Sequence, residues 1–523
     1  MPFDASHGTQ GAHGGGVSVL RRPGADTHAE AATPDACRVD LHLDQVIDAV
    51  LVDDDLDDLR SHFHTLLRDP DDVAYRHEVF LDLADADLRR AITAFARSLG
   101  RLRTRGRWTP RSRRPRRSQR LHLDAASLYC SAVLALAGAL ERRPPASRAL
   151  STVADHVRAY VASETFRTLD QDARTLVGDL DAVAYALTIF EDRVHVRRAR
   201  DRHDYGVDIE RTFHRFRRAD APEALPERIE VTEMSEAEAA VLDLVARHHP
   251  ATFATLERFV ETHTTFVEPL LDRFAHEVRF FLAYLEHTER LEPLGLTFCL
   301  PTVSSADKRV EALGVFDVAL ATSLLESAGR VVCNEVRLDA GERVLVVTGA
   351  NQGGKSTFAR AFGQLHYLAA LGCPVPARSA RLPLCDALLT HFERDEDLRT
   401  LQGRLGEELA RLGDMLERLG PRSVVVMNEA FASTATDDAV ALGRATLERI
   451  LAADAIGVVV TFTDELASGD SRVASVVATV DPSDPSRRTY RIERRAADGR
   501  AHALAIAQAH GLTYEALRRR LGS

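Results

Sequence analysis

The sequence has few of the features that mark secreted, metal-clipped or membrane-embedded proteins. Its six cysteines are scattered over 523 residues and form no C-x-x-C pair. Neither a disulfide framework nor a zinc site is therefore predicted, and a reducing cytoplasm is the expected compartment. No apolar run approaches the roughly 18 residues that a membrane span needs. We expect a cytoplasmic protein without a membrane partner.

The chain also lacks an excess of positive charge. Its net charge is −11, so any contact with DNA has to come from local patches. One such patch is the Arg-rich segment at 101–120, which holds ten arginines, no acidic residue and the only tryptophan, Trp108. Pro110 and Pro115 predict a mobile loop there. Two interpretations stay open, a phosphate-binding loop with a stacking tryptophan or a solvated insertion. The arginines assigned to DNA under the first are Arg113, Arg114, Arg116 and Arg117.

Helical periodicity dominates the chain after a leader. Residues 1–39 are rich in Gly, Ala, His and Asp, contain no apolar signal segment, and are predicted to be disordered. Apolar residues then recur at three- and four-residue spacing, which is typical of amphipathic helices. The helices predicted in this region are 41–51, 56–67, 79–99, 124–141 and 147–169.

A short β insertion, near 183–217, interrupts the helices. Residues 185–195 are predicted to form a β-hairpin that turns at Glu191 and Asp192. Helices resume at Glu236, and a long apolar stripe covers 253–291, where Pro269 kinks the helix or divides it in two. A helical bundle and a lever arm explain this stripe equally well.

From about residue 326 the pattern changes to alternating strands and helices. This alternation predicts an α/β sheet, so the fold class is multidomain α + α/β, with a helical region at 40–325 and an α/β domain at 326–523. The last helix is predicted over 502–521. The predicted strands are 343–347, 423–427, 457–461, 474–480 and 488–492.

The most informative stretch fits the phosphate-binding loop pattern G-x-x-x-x-G-K-[ST]. An apolar strand enters it and an apolar-periodic helix leaves it. Glycines let backbone N–H groups converge on phosphate oxygens, Lys355 reaches the β- and γ-phosphates, and the Ser356 hydroxyl binds Mg²⁺. The sequence thus predicts a site for ATP and Mg²⁺. The residues assigned to it are Gly349, Ala350, Asn351, Gln352, Gly353, Gly354, Lys355, Ser356 and Thr357.

A second strand supplies the acidic group that such a site needs. The apolar run 423–427 ends in Asn428 and Glu429. Glu429 is the predicted general base or water-orienting residue, and Asn428 is the predicted indirect Mg²⁺ contact. The alternative is a surface glutamate that follows a buried strand.

At this point the sequence resembles the MutS family of DNA mismatch repair ATPases, which belong to the ABC-type P-loop class. The run 348–357 (T-G-A-N-Q-G-G-K-S-T) is similar to the family's T-G-P-N-x-G-G-K-S-T, and 374–377 (P-V-P-A) resembles its V-P-A. Residues 428–436 (N-E-A-F-A-S-T-A-T) and 461–466 (T-F-T-D-E-L) stand where the family has D-E and T-H-x-x-E-L. Residues 331–336 resemble its approach to the ATPase domain, and the helical region from 40 matches its core and lever domains more loosely.

The chain departs from the family pattern at several positions. Asn428 stands in place of the Walker B aspartate, and Phe462 in place of the T-H histidine. Gly403 stands near the signature-loop serine. The chain leaves no room for the N-terminal mismatch-reading and connector domains, the hairpin is a reduced clamp, and no C-terminal extension is expected. Direct mismatch recognition by the family's route is therefore not expected.

The resemblance implies an ATPase that dimerises through its nucleotide domains and clamps duplex DNA, in mismatch repair or a related repair or recombination process. An alternative is a nucleotide-gated structural dimer with little or no hydrolysis, which Asn428 and Phe462 favour. A transporter ATPase is disfavoured by the long helical front. The sequence does not choose the DNA structure or the pathway.

Overall fold

A computed structural model of the protein describes most of the chain. The described residues are 17–25, 31–32, 35–52, 58–106, 115–190, 193–199, 236–325, 327, 329–393, 404–431, 434–481, 483, 487–497 and 518. Apart from Arg518, the predicted last helix at 502–521 lies outside these residues.

The helices alternate with short loops in the first part of the chain and with strands in the second. In chain order they are α1 (Asp35–Asp40), α2 (Leu43–Val50), α3 (Arg60–Phe63), α4 (Pro70–Asp82), α5 (Ala86–Gly106), α6 (Pro115–Arg142), α7 (Arg148–Ala162), α8 (Glu164–Asp181), α9 (Glu236–His248), α10 (Pro250–Thr262), α11 (Pro269–Leu291), α12 (Val318–Ser323), α13 (Lys355–Ala370), α14 (Arg404–Glu417) and α15 (Thr436–Ala452).

The strands form one large sheet, one smaller sheet and two strand pairs within the described residues. In chain order they are β1 (Ala31–Ala32), β2 (Thr65–Leu66), β3 (Tyr185–Phe190), β4 (Arg193–Arg198), β5 (Thr302–Ser304), β6 (Val310–Val315), β7 (Asn334–Leu338), β8 (Val344–Gly349), β9 (Ser379–Pro383), β10 (Ala387–Phe392), β11 (Ser423–Asn428), β12 (Ile456–Val460), β13 (Val473–Val480) and β14 (Arg488–Arg494).

The backbone divides into two compact units. The sheet unit comprises residues 1–85, 146–150 and 277–523, and the helical unit comprises 86–145 and 151–276. This division differs from the predicted boundary at 325/326, because the first helices pack within the sheet unit. Gln364 of α13 donates to Leu41 O at 3.0 Å, and Arg76 of α4 donates to Leu371 O at 2.6 Å. Sequence periodicity carries no information about such long-range packing.

The main sheet of the sheet unit has the order β10-β11-β12-β8-β13-β14. Its first five strands are parallel, and β14 is antiparallel to β13. The mixed α + α/β class is confirmed, and all five predicted strands are present with ends shifted by a residue or two. The prediction omitted the edge strand β10, whose sequence A-L-L-T-H-F is interrupted by a partly buried threonine and a buried histidine.

A second sheet, in the order β5-β9-β6-β7, was not predicted. Its strands are three to six residues long and carry charged residues on an exposed face, as in V-E-A-L-G-V of β6. Short strands with one exposed face are hard to recognise in a sequence, because too few residues show the alternation of apolar and polar side chains. β7 covers the second half, 334–336, of the approach segment at 331–336.

Within the predicted helical stretches, local chemistry sets the breaks. The stripe at 253–291 is divided, with Pro250 and Pro269 at the first positions of α10 and α11, where proline's missing N–H is tolerated. The predicted helix 147–169 divides at Ser163, whose hydroxyl accepts from Phe166 N at 3.2 Å and caps α8. The predicted helix 79–99 is likewise split between α4 and α5.

The hairpin prediction is confirmed, since β3 and β4 pair antiparallel with Tyr185 opposite Arg198 and Phe190 opposite Arg193. The prediction of a disordered leader is wrong over 17–25 and in α1. Val19 and Leu20 are buried. Val19 N and Ser18 Oγ each donate to Glu277 Oε2 at 2.8 Å. These hydrogen bonds fix the short apolar segment within the sheet unit.

The Arg-rich segment is not a loop throughout. Residues 101–106 end α5 and residues 115–120 begin α6, so Pro115 starts a helix instead of preventing one. Residues 107–114 lie outside the described part of the chain. α6 is also long and apolar enough, by composition alone, to cross a membrane, contrary to the sequence analysis. Half of that apolar window is buried inside the protein, as in a core helix.

Candidate nucleotide-binding site

The loop at 349–357 follows β8 in the interior of the main sheet. β12 and β13 flank β8 and run parallel to it, and the residues of β8 up to Thr348 are buried. α13 begins at Lys355. The loop's amide groups and the start of a 16-residue helix therefore lie at the carboxyl edge of a parallel sheet, where such folds bind ligands.

Three glycines of the loop have a physical reason to be glycine. Gly349 and Gly354 have φ angles of 105° and 90°, in the region that L side chains rarely adopt. A Cβ on Gly349 would lie 2.7 Å from Ala478 O, and a Cβ on Gly353 would lie 2.8 Å from Ala350 O. Gln352, at φ 58°, adopts the same left-handed region without being glycine. Side chains at 349 and 353 would therefore collide with β13 or with the loop's own backbone.

The ammonium group of Lys355 points toward oxygens of the loop itself. Nζ donates to Gly349 O at 3.1 Å, to Ala350 O at 3.3 Å and to Asn351 Oδ1 at 3.3 Å. The residue is only 3% exposed, and no carboxylate of the described residues lies within ion-pair distance. Burial lowers the pKa of Lys355, an effect that Glu429 opposes and Arg488 reinforces. A buried cation on neutral oxygens is a site that favours an anionic ligand.

Ser356 and Thr357 form the first turn of α13 and are half-buried. Thr357 Oγ1 accepts from Arg360 Nη2 at 3.4 Å, and Arg360 is itself held by Asp317 at 2.9 Å. No hydrogen bond of the Ser356 hydroxyl is present among the described residues, which leaves the hydroxyl available to a ligand. Asn351 and Gln352 are exposed at the tip of the loop.

Asn428 and Glu429 lie at the carboxyl end of β11, two strands from the loop. Asn428 is the last residue of β11 and pairs with Val460 of β12. Glu429 N donates to Val460 O at 2.9 Å. Asn428 Oδ1 is buried without a hydrogen-bond partner among the described residues. Glu429 is half-buried, and burial raises the pKa of its carboxyl, an effect that Lys355 opposes.

The residues present fit a nucleotide with Mg²⁺. The glycines keep the loop backbone free of side chains, and Lys355 supplies a buried cation. Asn428 Oδ1 is a buried acceptor without a hydrogen-bond partner among the described residues, and a metal-bound water could satisfy it. The structure thus brings together the two groups of residues that the sequence assigned to one site.

Comparison with known proteins points to one family. A family model described as MutS domain V matches residues 345–519. The DNA mismatch repair protein msh3 of Botryotinia fuckeliana is 31% identical over 206 residues, 38% of this chain and 17% of that protein. The DNA mismatch repair protein MutS of Granulibacter bethesdensis is 31% identical over 195 residues, 37% of this chain and 20% of that protein. Residues 345–519 thus belong to the MutS domain V family.

The similarity is confined to part of each relative. MutS of Thermosynechococcus vestitus is 37% identical over 115 residues, which are 22% of this chain and 13% of that protein. The matched segments therefore span a fifth or less of these relatives' own lengths. The family-model match at 345–519 contains the loop, β11 and β12.

Phe462, where the MutS pattern has a histidine, lies against the loop lysine. Its ring centroid is 4.7 Å from Lys355 Nζ, which is a cation–π contact, and the residue is 49% exposed. An aromatic ring offers no hydrogen bond to a phosphate or a water. The segment that follows β12 therefore contacts the Lys355 ammonium through the π face of the Phe462 ring.

The sequence analysis missed two residues that touch the loop from β14. Arg488 Nε donates to Asn351 O at 3.0 Å. The ring of Tyr490 lies near Gly354, at 3.6 Å from the position of a Cβ there. Tyr490 has φ 58°, and Asn334 of β7 bridges its carbonyl and Ile492 N at 3.1 and 2.8 Å. The charged run at 487–494 (R-R-T-Y-R-I-E-R) predicted only a strand. Nothing in its sequence indicated a contact with the loop.

A cleft of about 810 Å³ lies between the two sheets of the sheet unit. It extends along β7 and β14 and is bounded in part by β8 and β13, so it begins beside the Tyr490 segment. Among the residues that line it are Val331, Val332, Cys333, Asn334, Arg378 and Arg491.

The predicted DNA contacts are only partly described. Arg113 and Arg114 lie outside the described residues. Arg116 is engaged within the helical unit, where it donates to Phe253 O at 3.2 Å and forms a 3.4 Å ion pair with Glu257. Arg117 also has an interaction of its own. The two described arginines, Arg116 and Arg117, are therefore both engaged in contacts within the protein.

Proposed function

We propose that this chain binds ATP with Mg²⁺ at the 349–357 loop and hydrolyses it, with Glu429 as the residue that orients and activates water. The observation that carries the proposal is the buried ammonium of Lys355, held only by loop oxygens and an aromatic ring. Such a cation gains most when phosphate oxygens replace those neutral partners.

Each residue has a role that its position supports. Loop N–H groups and the α13 terminus bind phosphate oxygens, and Lys355 binds the terminal phosphates. The Ser356 hydroxyl and Asn428 Oδ1 are the groups that would hold Mg²⁺, Ser356 directly and Asn428 indirectly. The chemistry supplied by bound Mg²⁺ is neutralisation of phosphate charge. Glu429 accepts a proton from the attacking water, for which it has to be ionised.

The cleft beside Tyr490 offers room for the rest of the nucleotide. Thr489 and Arg491, the neighbours of Tyr490, line it together with apolar Val331 and Val332 and further polar groups. Apolar walls with a few polar groups suit a flat heteroaromatic base. We propose that the phosphates occupy the loop and that the nucleoside extends toward this cleft.

We further propose that the chain acts on duplex DNA as a homodimer joined through its ATPase domains, in mismatch repair or a related process. The support is that the similar MutS and msh3 proteins are DNA mismatch repair proteins. The division into a core and lever region at 40–325 and an ATPase domain at 326–523 stays a functional proposal, distinct from the two compact units.

A second candidate function is a nucleotide-gated structural dimer with little hydrolysis. Asn428 and Phe462 favour it, since an amide binds Mg²⁺ water less strongly than a carboxylate and a phenyl ring cannot donate to phosphate. Both functions require ATP binding, and they differ in turnover.

The experiment measures equilibrium ATP binding with and without Mg²⁺, then steady-state hydrolysis with and without DNA. The DNA panel contains homoduplex, mismatch, junction and single-stranded oligonucleotides. We expect Mg²⁺-dependent binding and DNA-modulated turnover. Binding without turnover selects the structural dimer, and no binding at millimolar ATP removes both candidates.

A further inference from the structure

A buried carboxylate lies behind the turn that carries Glu429. Glu408, one turn into α14, is 5% exposed, and its Oε1 accepts from Phe431 N at 2.8 Å. His391 Nε2, near the end of β10, lies 3.3 Å from the same oxygen. Burial lowers the pKa of His391, which the hydrogen bond with Glu408 opposes. One carboxylate therefore joins α14, β10 and the turn after β11.

Packing alone does not explain a carboxylate at this position. Glu408, Leu412 and Met415 fall at the i, i+4 and i+7 positions of α14, and all three are buried. Leu412 and Met415 belong to the apolar core beneath β11. An apolar residue at 408 would continue this stripe without the desolvation cost of a buried carboxylate.

The turn that Glu408 supports has an unusual backbone. Glu429 has φ 55° and Phe431 has φ 64°, both in the left-handed region that bulky residues avoid. Glu429 N is held by Val460 O, and Phe431 N is held by Glu408. The two left-handed residues on either side of Ala430 are thus each fixed by one backbone N–H bond. A turn of this kind persists only when its surroundings hold it.

We propose that Glu408, supported by His391, is a positioning residue that fixes the Glu429 turn for water activation. This inference rests on the proposed function, because it gives Glu408 a role only through Glu429. Glu408 itself does not touch the reacting atoms. Its bond to Phe431 N sets the direction in which the Glu429 side chain leaves the strand end.

The test compares Glu408→Ala and Glu408→Gln with Asp414→Ala, which removes an exposed carboxylate from the same helix. ATP affinity, thermal stability and the single-turnover hydrolysis rate are measured for each. We expect Glu408→Ala to slow hydrolysis about 10- to 100-fold, since small misplacements of a catalytic group have effects of this size. ATP affinity should change less than about threefold. Glu408→Gln should restore the rate to within about threefold, because its amide oxygen can accept the same bond.

Two further variants keep the inference testable if Glu408→Ala does not fold. His391→Leu leaves the bond to Phe431 N in place and should slow hydrolysis about three- to tenfold. In a Glu429→Gln background, loss of the His391 or Glu408 contact should change the remaining rate less than about twofold, since the group being positioned is gone.

The outcomes separate this inference from the proposed function. If the parent protein binds ATP but does not hydrolyse it, both the hydrolytic function and the positioning role are wrong. If the parent hydrolyses ATP and Glu408→Ala matches Asp414→Ala, only the positioning role is wrong. A Glu408→Gln variant as slow as Glu408→Ala, or a loss of ATP affinity equal to the loss of rate, also overturns it.

Discussion

The two sides of the candidate site differ in how closely they follow the MutS pattern. On the β8 side, the loop residues 349–357 keep each group that phosphate binding needs, and Lys355 is buried on the loop's own carbonyls. On the side of β11 and β12, Asn428 and Phe462 replace an acid and a histidine. In the proposed function, binding and hydrolysis depend mainly on different sides, so a chain could keep one while weakening the other.

The largest effect is expected from Glu429→Gln. This variant tests whether the side of β11 and β12, the second side of the site, is catalytic. Loss of a general base lowers turnover about 10²- to 10⁴-fold, and ATP binding should be unchanged because Glu429 does not contact the loop backbone. Steady-state hydrolysis and equilibrium binding measure the two quantities. Equal turnover in Glu429→Gln and parent would make the second side structural and favour the nucleotide-gated dimer.

Lys355→Ala tests the first side. Removing a charge-assisted contact to phosphate should weaken ATP binding about 100-fold, while the protein stays folded. Lys308→Ala is the matched control, since Lys308 and Lys355 are the only lysines in the sequence and Lys308 pairs with Asp454. Calorimetry and circular dichroism check affinity and fold. A parent-like affinity in Lys355→Ala would assign the nucleotide to another site.

Restoring the family residues on the second side sharpens the comparison. Asn428→Asp should lower the Mg²⁺ concentration for half-maximal hydrolysis about three- to tenfold, because a carboxylate holds metal-bound water more strongly than an amide. Phe462→His should raise turnover by a smaller factor and remove the cation–π contact with Lys355. Titration of hydrolysis against Mg²⁺ measures both effects. If neither substitution changes it, the departures from the family pattern carry no functional weight.

The pH profile gives a readout of the second side in the parent protein. The general base has to be deprotonated, and burial raises the pKa of Glu429 above 4.5. kcat/KM should therefore fall with decreasing pH through a pKa higher than that of an exposed glutamate. The same limb should be absent in Glu429→Gln. A limb that persists in that variant would belong to another group.

The smallest effect concerns DNA and lies outside the site. Replacing Arg113 and Arg114 with Ala should flatten the slope of log K against log salt by up to about 1.8 for duplex DNA, at about 0.9 per phosphate contact. Arg116→Ala should instead lower stability, because Arg116 holds Phe253 O and Glu257. Fluorescence of Trp108, the only tryptophan, reports binding. An unchanged slope would identify the segment as a solvated insertion.

Sequence patterns predicted most of the regular structure because that structure rests on local signals. Five of the six strands of the main sheet, the β3–β4 hairpin and the division at Pro269 follow from apolar periodicity, turn residues and proline. Patterns failed where local signals are short or ambiguous. The second sheet consists of brief half-exposed strands, and Val19 and Leu20 lie in a glycine-rich region whose composition suggested disorder.

The candidate site shows the same division. Gly349, Lys355 and Ser356 are marked by spacing alone, since phosphate binding requires those residue types at fixed intervals. Arg488 and Tyr490 carry no such mark, because their contacts with Asn351 and Gly354 arise from the antiparallel pairing of β14 with β13.

The sequence by itself determined the strand–loop–helix at Lys355, the carboxylate that follows β11 at Glu429 and the resemblance to the MutS family. Each of these is a local pattern of residue types. Only the tertiary structure decided that Phe462 covers the Lys355 ammonium and that Glu408 and His391 support the turn after β11. Those contacts join residues from separate elements, and no periodicity in a single chain records which helix will pack behind which strand.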